Sequence, residues 1–291
     1  MAKRKVVLTF FLFCMLAPLF LMGTSFDGNQ PQVKKVGSFD RVEIVYSVQG
    51  EKEPALVFIH GGFADRSFWK NQFAYFSGNH KVVAVDLAGH GDSGADRTEW
   101  GILPFAQDVL AVIDKEKINK AVLIGNSLGG PVAIQTARLI PEKAVAVVGI
   151  DTFQIFSIKA PEGYYQARAN AFHDNFEATM KEMVQALFHP DTYPELQAYA
   201  LEIMLKGSPE TAAAIMESLS SFDLAELVKG LTIPIRSING DLYETRIEEN
   251  RKIHPDFDAV TLPETGHYPM LENPDLFNQT LERILNDLNT K

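Results

Sequence analysis

The residues with the clearest chemical potential form one short run, Gly125-Asn126-Ser127-Leu128-Gly129, a Gly-x-Ser-x-Gly pattern. A serine hydroxyl is a weak nucleophile at neutral pH. It needs a general base, a group that orients the base, and donors for the negative charge that builds on an attacked carbonyl oxygen. Residues of the right types stand elsewhere in the chain. His267, in Gly266-His267-Tyr268, is the candidate base, and Asp241, Glu244 and Asp151 are carboxylates that could orient it. Amide donors are expected from Leu128, next to the serine, and from the loop His60-Gly61-Gly62-Phe63, with Gly62 the first choice and Phe63 the second. The chemistry of such a set is acyl transfer: Ser127 attacks a carbonyl, and water activated by His267 then releases the acyl group.

These residues work together only if the chain carries them to one place. Ala121 to Ile124 is a short apolar run of the kind buried on both faces of a sheet, and Pro131 to Ile140 reads as a helix. The glycines beside Ser127 suit a sharp strand-to-helix turn that lifts the hydroxyl clear of the sheet. Pro54–Ile59, Lys81–Leu87, Ala144–Ile150, Ile233–Ile238 and Phe257–Leu262 read as further buried strands. Helical spacing recurs at Pro104–Glu116, Arg246–Ile253 and Pro274–Leu288, while Ser38–Val48 alternates as an antiparallel edge strand should. This alternation specifies an α/β fold, a mostly parallel, doubly wound sheet with helices on both faces. Ligands bind such sheets beyond the carboxyl ends of the strands, where His60, Asp86, Ser127 and Asp151 all fall.

Between Phe153 and Leu231 the alternation stops. The segment reads as helices at Pro161–Phe188, Pro194–Leu205 and Pro209–Leu219, with a short one near Leu224. Phe172, Phe176, Met180, Met183, Leu187 and Phe188 fall near one face of the first. The expectation is a helical cap over the strand ends, with a largely apolar pocket in which Phe172 and Phe176 influence substrate length. The domain reading is a signal peptide at 1–25, core at 26–152, cap at 153–231 and core again at 232–291.

Composition narrows the function classes. The chain has 291 residues, 46% of them hydrophobic, and a formal net charge of −10, which argues against a nucleic-acid partner. The Gly-rich loop Ala88–Gly94 is followed by no Gly-Lys-Ser/Thr, so Asp86, His90 and Asp92 read as braces of that loop and not as a nucleotide or metal site; His60 reads the same way. Lys3, Arg4 and Lys5 precede an apolar run, Val6 to Met22, and then Gly23-Thr24-Ser25. This is the pattern of a secretory signal peptide cleaved near Ser25, which predicts a periplasmic or secreted protein. The alternative is an uncleaved N-terminal anchor, the only route to a membrane in this reading. The single cysteine, Cys14, lies inside that segment, so the mature chain would have no thiol chemistry, disulfide or cysteine metal site.

From Phe58 onward the chain resembles the α/β-hydrolase superfamily. The resemblance rests on His60-Gly61-Gly62-Phe63, Asp86-Leu87-Ala88-Gly89-His90-Gly91-Asp92-Ser93, Gly125 to Gly130, and Gly266-His267, in that order. It implies about eight strands, a cap after strand six, a small-molecule substrate, and neither cofactor nor metal. It also implies a Ser…acid…His order. Family members commonly carry the acid about three residues past a glycine after strand seven, and here that position is Tyr243. Asp241 is the choice, as the carboxylate nearest the strand end; Glu244 reads as a first-turn acid of the next helix, and Asp151 is the third option because some members place the acid there. Asn126 before the nucleophile is similar to esterase and carbon–carbon hydrolase members, and the serine itself argues against epoxide hydrolases and haloalkane dehalogenases. The resulting expectation is an exported serine hydrolase of carboxylic esters of small or medium apolar acids. Alternatives are a carbon–carbon bond, amide or lactone hydrolase on the same triad, or a ligand-binding homologue with little turnover.

Overall fold

The computed structural model describes residues 30–289, so the signal-peptide reading of residues 1–25 lies outside the described residues. The central strands follow from short runs of apolar, mostly β-branched residues that bury both faces. In β3 (Ala55–Ile59) every residue is buried. Val57 and Ile59 join one core cluster, while Leu56 and Phe58 join the cluster on the opposite face, as a period of two requires. The remaining strands are β1 (Gln32–Gly37), β2 (Glu43–Gln49), β4 (Val82–Val85), β5 (Ala121–Asn126), β6 (Ala144–Ile150), β7 (Ile235–Asn239) and β8 (Phe257–Thr261). They form one eight-stranded sheet in the order β1-β2-β4-β3-β5-β6-β7-β8. Pairing is antiparallel at β1–β2 and β2–β4 and parallel elsewhere.

Helices cover both faces. After α1 (Lys70–Phe76) come α2 (Ile102–Lys115) and α3 (Gly129–Leu139). Phe73 and Phe76 of α1 pack on the side of Leu56 and Phe58, whereas α2 and α3 pack on the side of Val57. The expected α/β architecture is therefore the observed one. The edge strand is different. Ser38–Val48 is not an edge but a turn followed by β2, which β1 shields through the register Gln32↔Val48 to Gly37↔Glu43. The sequence of β1, Gln-Val-Lys-Lys-Val-Gly, is too polar to stand out as a strand. Its lysines are what an exposed edge carries to discourage pairing with another chain.

Between β6 and β7 the chain forms five helices: α4 (Tyr164–Asp174), α5 (Phe176–Leu187), α6 (Pro194–Met204), α7 (Pro209–Ser218) and α8 (Leu224–Val228). The single helix expected over Pro161–Phe188 is thus two. Asn175 leaves helical geometry at φ −158°, ψ 86°, and its side chain accepts from the Ala178 amide as the N-cap of α5. Asparagine favours this local bond over helix continuation, so the amphipathic stripe turns a corner there. The chain then closes with α9 (Ile247–Arg251), α10 (Pro269–Glu272) and α11 (Pro274–Asn289). Among the described residues, no helix is long and apolar enough to cross a membrane.

Candidate active site

Register places the strand ends side by side. Ile59 pairs with Gly125, Asn126 with Ile150, and Ile150 with Ile238, so the residues that follow each strand leave the sheet at one level. Ser127 follows β5 with φ 50°, in the left-handed region that costs a non-glycine residue free energy. The turn is held by its own bonds: the Ser127 amide donates to the Ile150 carbonyl at 3.1 Å, and its carbonyl accepts from Gly130 at 2.9 Å and from the Thr152 hydroxyl at 2.8 Å. Glycine is required on either side because a Cβ on Gly125 would run into the Gly129 carbonyl, and one on Gly129 into the Ile59 carbonyl.

His267 is brought to the same place. Its Nδ1 lies 2.6 Å from Asp151 Oδ2, in a site where the aspartate side chain is 3% and the imidazole 14% exposed. Asp151 accepts only if Nδ1 carries the proton, which leaves Nε2 with its lone pair free to take one. Asp151 follows β6 directly and also adopts a left-handed backbone, at φ 46°. Its other oxygen accepts from the Gly240 amide at 3.0 Å and the Gln154 side chain at 2.8 Å, so both carboxylate oxygens are occupied.

The carboxylate that meets His267 is thus Asp151, and not Asp241 as expected. Asp241 bends away from the histidine: its amide donates to the Thr265 carbonyl at 3.0 Å and its Oδ2 accepts from the Glu264 amide at 2.9 Å. The adjacent Gly240 amide instead holds Asp151. Glu244 is an exposed partner of Arg246 at 3.6 Å. Asp151 carried one legible sign, its place at the carboxyl end of a buried strand, but nothing in the sequence shows which of the three carboxylates, on two loops, reaches His267.

On the opposite side, Gly62, Phe63 and Leu128 line the same cavity as Ser127 and His267. Among the described residues, none of their three amides donates to another backbone group. A Cβ on Gly62 would sit 3.8 Å from Leu128 Cδ2, so residue 62 is a close neighbour of the start of α3. Phe63 has φ 66° and packs its ring 5.1 Å from that of Phe172 on α4. Phe172 is fully buried and is not among the residues of the cavity wall.

The loop residues behave as braces. His60 is fully buried; its Nδ1 donates to the Gly61 carbonyl at 2.7 Å and its Nε2 accepts the Leu87 amide at 3.1 Å. Burial holds its pKa below the ordinary histidine value. Asp86 pairs with Arg66, which also reaches Asp92 at 2.7 Å. Two further roles escaped the sequence reading. Buried Asn126 donates through Nδ2 to the carbonyls of Ile150 and His267, each at 3.0 Å, and so ties the serine strand to both partners. Glu272, at the end of α10, accepts from the Gly266 amide at 3.0 Å and the Tyr268 amide at 3.2 Å, and its other oxygen accepts from the His189 amide at 3.0 Å and from Thr192.

The cavity has a volume of about 780 Å³. Its cap-side wall includes Ile158, Tyr165, Met183 and Leu187, as an apolar pocket requires, but also Lys159, Glu162, Arg168 and Asp223, so it is more polar than expected. Lys159 pairs with Asp223 at 3.0 Å.

Residues 56–280 match the model of the alpha/beta hydrolase family. The chain is 25% identical over 257 residues to 3-oxoadipate enol-lactonase 2 of Acinetobacter baylyi, covering 85% of this chain and 95% of that protein. It is 25% identical over 249 residues to 2-(acetamidomethylene)succinate hydrolase of Mesorhizobium japonicum, covering 80% and 87%. Among solved structures, a thermophilic esterase from Thermogutta terrifontis with malate bound superposes with a TM-score of 0.77 at 23% identity, over 88% of this chain and 99% of that one.

Proposed function

We propose, from the premise that this chain belongs to the alpha/beta hydrolase family and is a hydrolase, that it cleaves carboxylic esters through Ser127, His267 and Asp151. The observation that carries this reading is the 2.6 Å contact between His267 and Asp151 beside a serine held at φ 50° in one cavity. His267 Nε2 takes the Ser127 proton as the serine oxygen attacks the ester carbonyl carbon. Charge moves to the carbonyl oxygen, where the amides of Leu128 and of Gly62 or Phe63 receive it. Loss of one such donor costs roughly 3–4 kcal/mol of transition-state stabilisation in a well-studied serine hydrolase. The tetrahedral intermediate collapses, the C–O bond breaks, and the imidazolium returns its proton to the leaving alkoxide. Water then gives a proton to His267 and attacks the acyl-serine, which releases the acid and restores Ser127. Asp151 keeps the imidazole in the required tautomer and balances its charge, without itself taking the proton.

A lactone is the same acyl–oxygen bond closed into a ring, and the first relative above carries an enol-lactonase name, so lactones belong in the same screen. The site of action is proposed to be the periplasm or exterior, on the strength of Lys3, Arg4, Lys5 and the apolar run after them. Mass spectrometry of the native protein should find a terminus near Ser25; an intact N-terminus would overturn export by cleavage. The catalytic reading is tested by fluorophosphonate labelling. The label should map to Ser127, and Ser127→Ala should lose both label and ester turnover while keeping its circular dichroism. A Ser127→Ala protein with activity within tenfold of the parent would remove Ser127 as nucleophile.

A further inference from the structure

Arg168 stands on α4, and its side chain, 24% exposed, lines the cavity that Ser127 and His267 share. Two other arginines are fully engaged: Arg97 makes four hydrogen bonds to Asp40 and Asp108, and Arg66 reaches Asp86 and Asp92. Among the described residues the Arg168 side chain makes no hydrogen bond to protein, and its ion pair is a 3.7 Å approach to Glu182, whose side chain is 77% exposed and outside the cavity wall. An exposed pair at that separation contributes little. The second cation of the wall, Lys159, is 75% exposed and already paired with Asp223.

The surroundings make this guanidinium unusual. Tyr165, Met183, Ala186 and Leu187 line the same cavity, so the guanidinium shares it with apolar side chains. Ala169 and Phe172, further along α4, are fully buried and hold the helix in place. The Leu187 carbonyl accepts the His267 amide at 2.7 Å, so this wall adjoins the loop of the proposed base. A planar fork of five N–H donors in such a place is matched by a carboxylate, which accepts two parallel bonds at once.

We infer that Arg168 recognises an anionic group of the substrate, and that the substrate class is an ester or lactone carrying a second, free carboxylate. The carboxylate lies on Arg168 while the reacting carbonyl lies at Ser127. A cavity of about 780 Å³ holds both ends of such a molecule. This deepens the hydrolase reading and rests on it for the position of the carbonyl; it replaces the expectation of a purely apolar acid.

The test uses a matched pair, mono-p-nitrophenyl adipate and p-nitrophenyl hexanoate, which differ by the terminal carboxylate. The ratio of kcat/KM for the adipate over the hexanoate should fall roughly 10- to 100-fold in Arg168→Gln, the worth of a hydrogen bond to a charged group. The fall should lie mainly in KM, and Arg168→Lys should restore part of it. Adipate binding to Ser127→Ala, measured by calorimetry, should be lost when Arg168→Gln is added. An unchanged ratio in Arg168→Gln, or no adipate binding by Ser127→Ala, overturns the inference. If neither ester is cleaved but adipate binding still depends on Arg168, the hydrolase reading fails and the anion site stands.

Discussion

At the scale of single residues, the decisive fact is which carboxylate meets His267. Asp151 Oδ1 accepts from two donors, the Gly240 amide and the Gln154 side chain, and Oδ2 faces His267, a set that leaves the carboxylate no freedom to turn away. Asp151→Asn should therefore lose about 10⁴ in kcat at saturating ester, because an amide at that position favours the wrong imidazole tautomer. Asp241→Asn keeps an acceptor for the Glu264 amide and does not touch His267, so it should leave kcat close to that of the parent. A collapse in Asp241→Asn with Asp151→Asn active would reverse the assignment. Asp151 was within reach of a sequence reading, since it ends a buried strand as Ser127 does. What no local pattern shows is that the amide of Gly240 closes on Asp151 and that Asp241 is thereby turned toward Glu264.

At the scale of elements, the helices between β6 and β7 are joined to the histidine loop through Glu272. One of its oxygens holds the amides on either side of His267, and the other holds the His189 amide and Thr192 just after α5. The His267 amide itself donates to the Leu187 carbonyl at the end of α5. Two segments far apart in sequence thus share one carboxylate, and they should loosen together. Glu272→Ala should cost about 1.5–3 kcal/mol in urea unfolding, the range for hydrogen bonds to a charged group. In hydrogen exchange, the amides of Gly266, Tyr268 and His189 should all exchange faster in that variant. Faster exchange at His189 alone would show that the two segments are not coupled through this residue. The cap's helical character was legible from its 3.6-residue spacing. The break at Asn175 was not, because the apolar stripe runs across it.

At the scale of the whole molecule, stability should depend on pH through histidines the chemistry does not use. His60 and His90 are buried with ring centroids 4.8 Å apart. Burial pushes both below the ordinary value, and His60 beside it helps bring His90 to about 3. The unfolded chain binds a proton at each near pH 6.5, which the folded chain refuses. Their contribution is therefore complete above about pH 6.5 and is lost as pH falls from there toward 3. For His90 alone the loss is about 2 kcal/mol by pH 5. Urea unfolding at pH 7.5 and pH 5 should show the fall, and His90→Phe, packed among Phe63 and Phe105, should flatten it by about that amount. Equal pH dependence in the two proteins would rule His90 out as a source.

Much of this protein is determined by short-range pattern. Apolar runs of five to seven residues specify strands buried on both faces, and the glycines around Ser127 specify a turn that admits no Cβ. From those features follow the parallel sheet, the position of Ser127 at its carboxyl edge and the helical insertion after β6. Tertiary structure decided what depends on distances between loops: Asp151 as the partner of His267, Asn126 and Glu272 as the ties between segments, Phe172 as packing for Phe63, and Arg168 as a cation in the cavity wall. The physical reason is plainest for Asp151 and His267. Secondary structure is set by residues a few positions apart, but a hydrogen bond between side chains more than a hundred residues apart depends on the register of every strand between them, and a shift of one residue in any of them would carry the carboxylate to the other face.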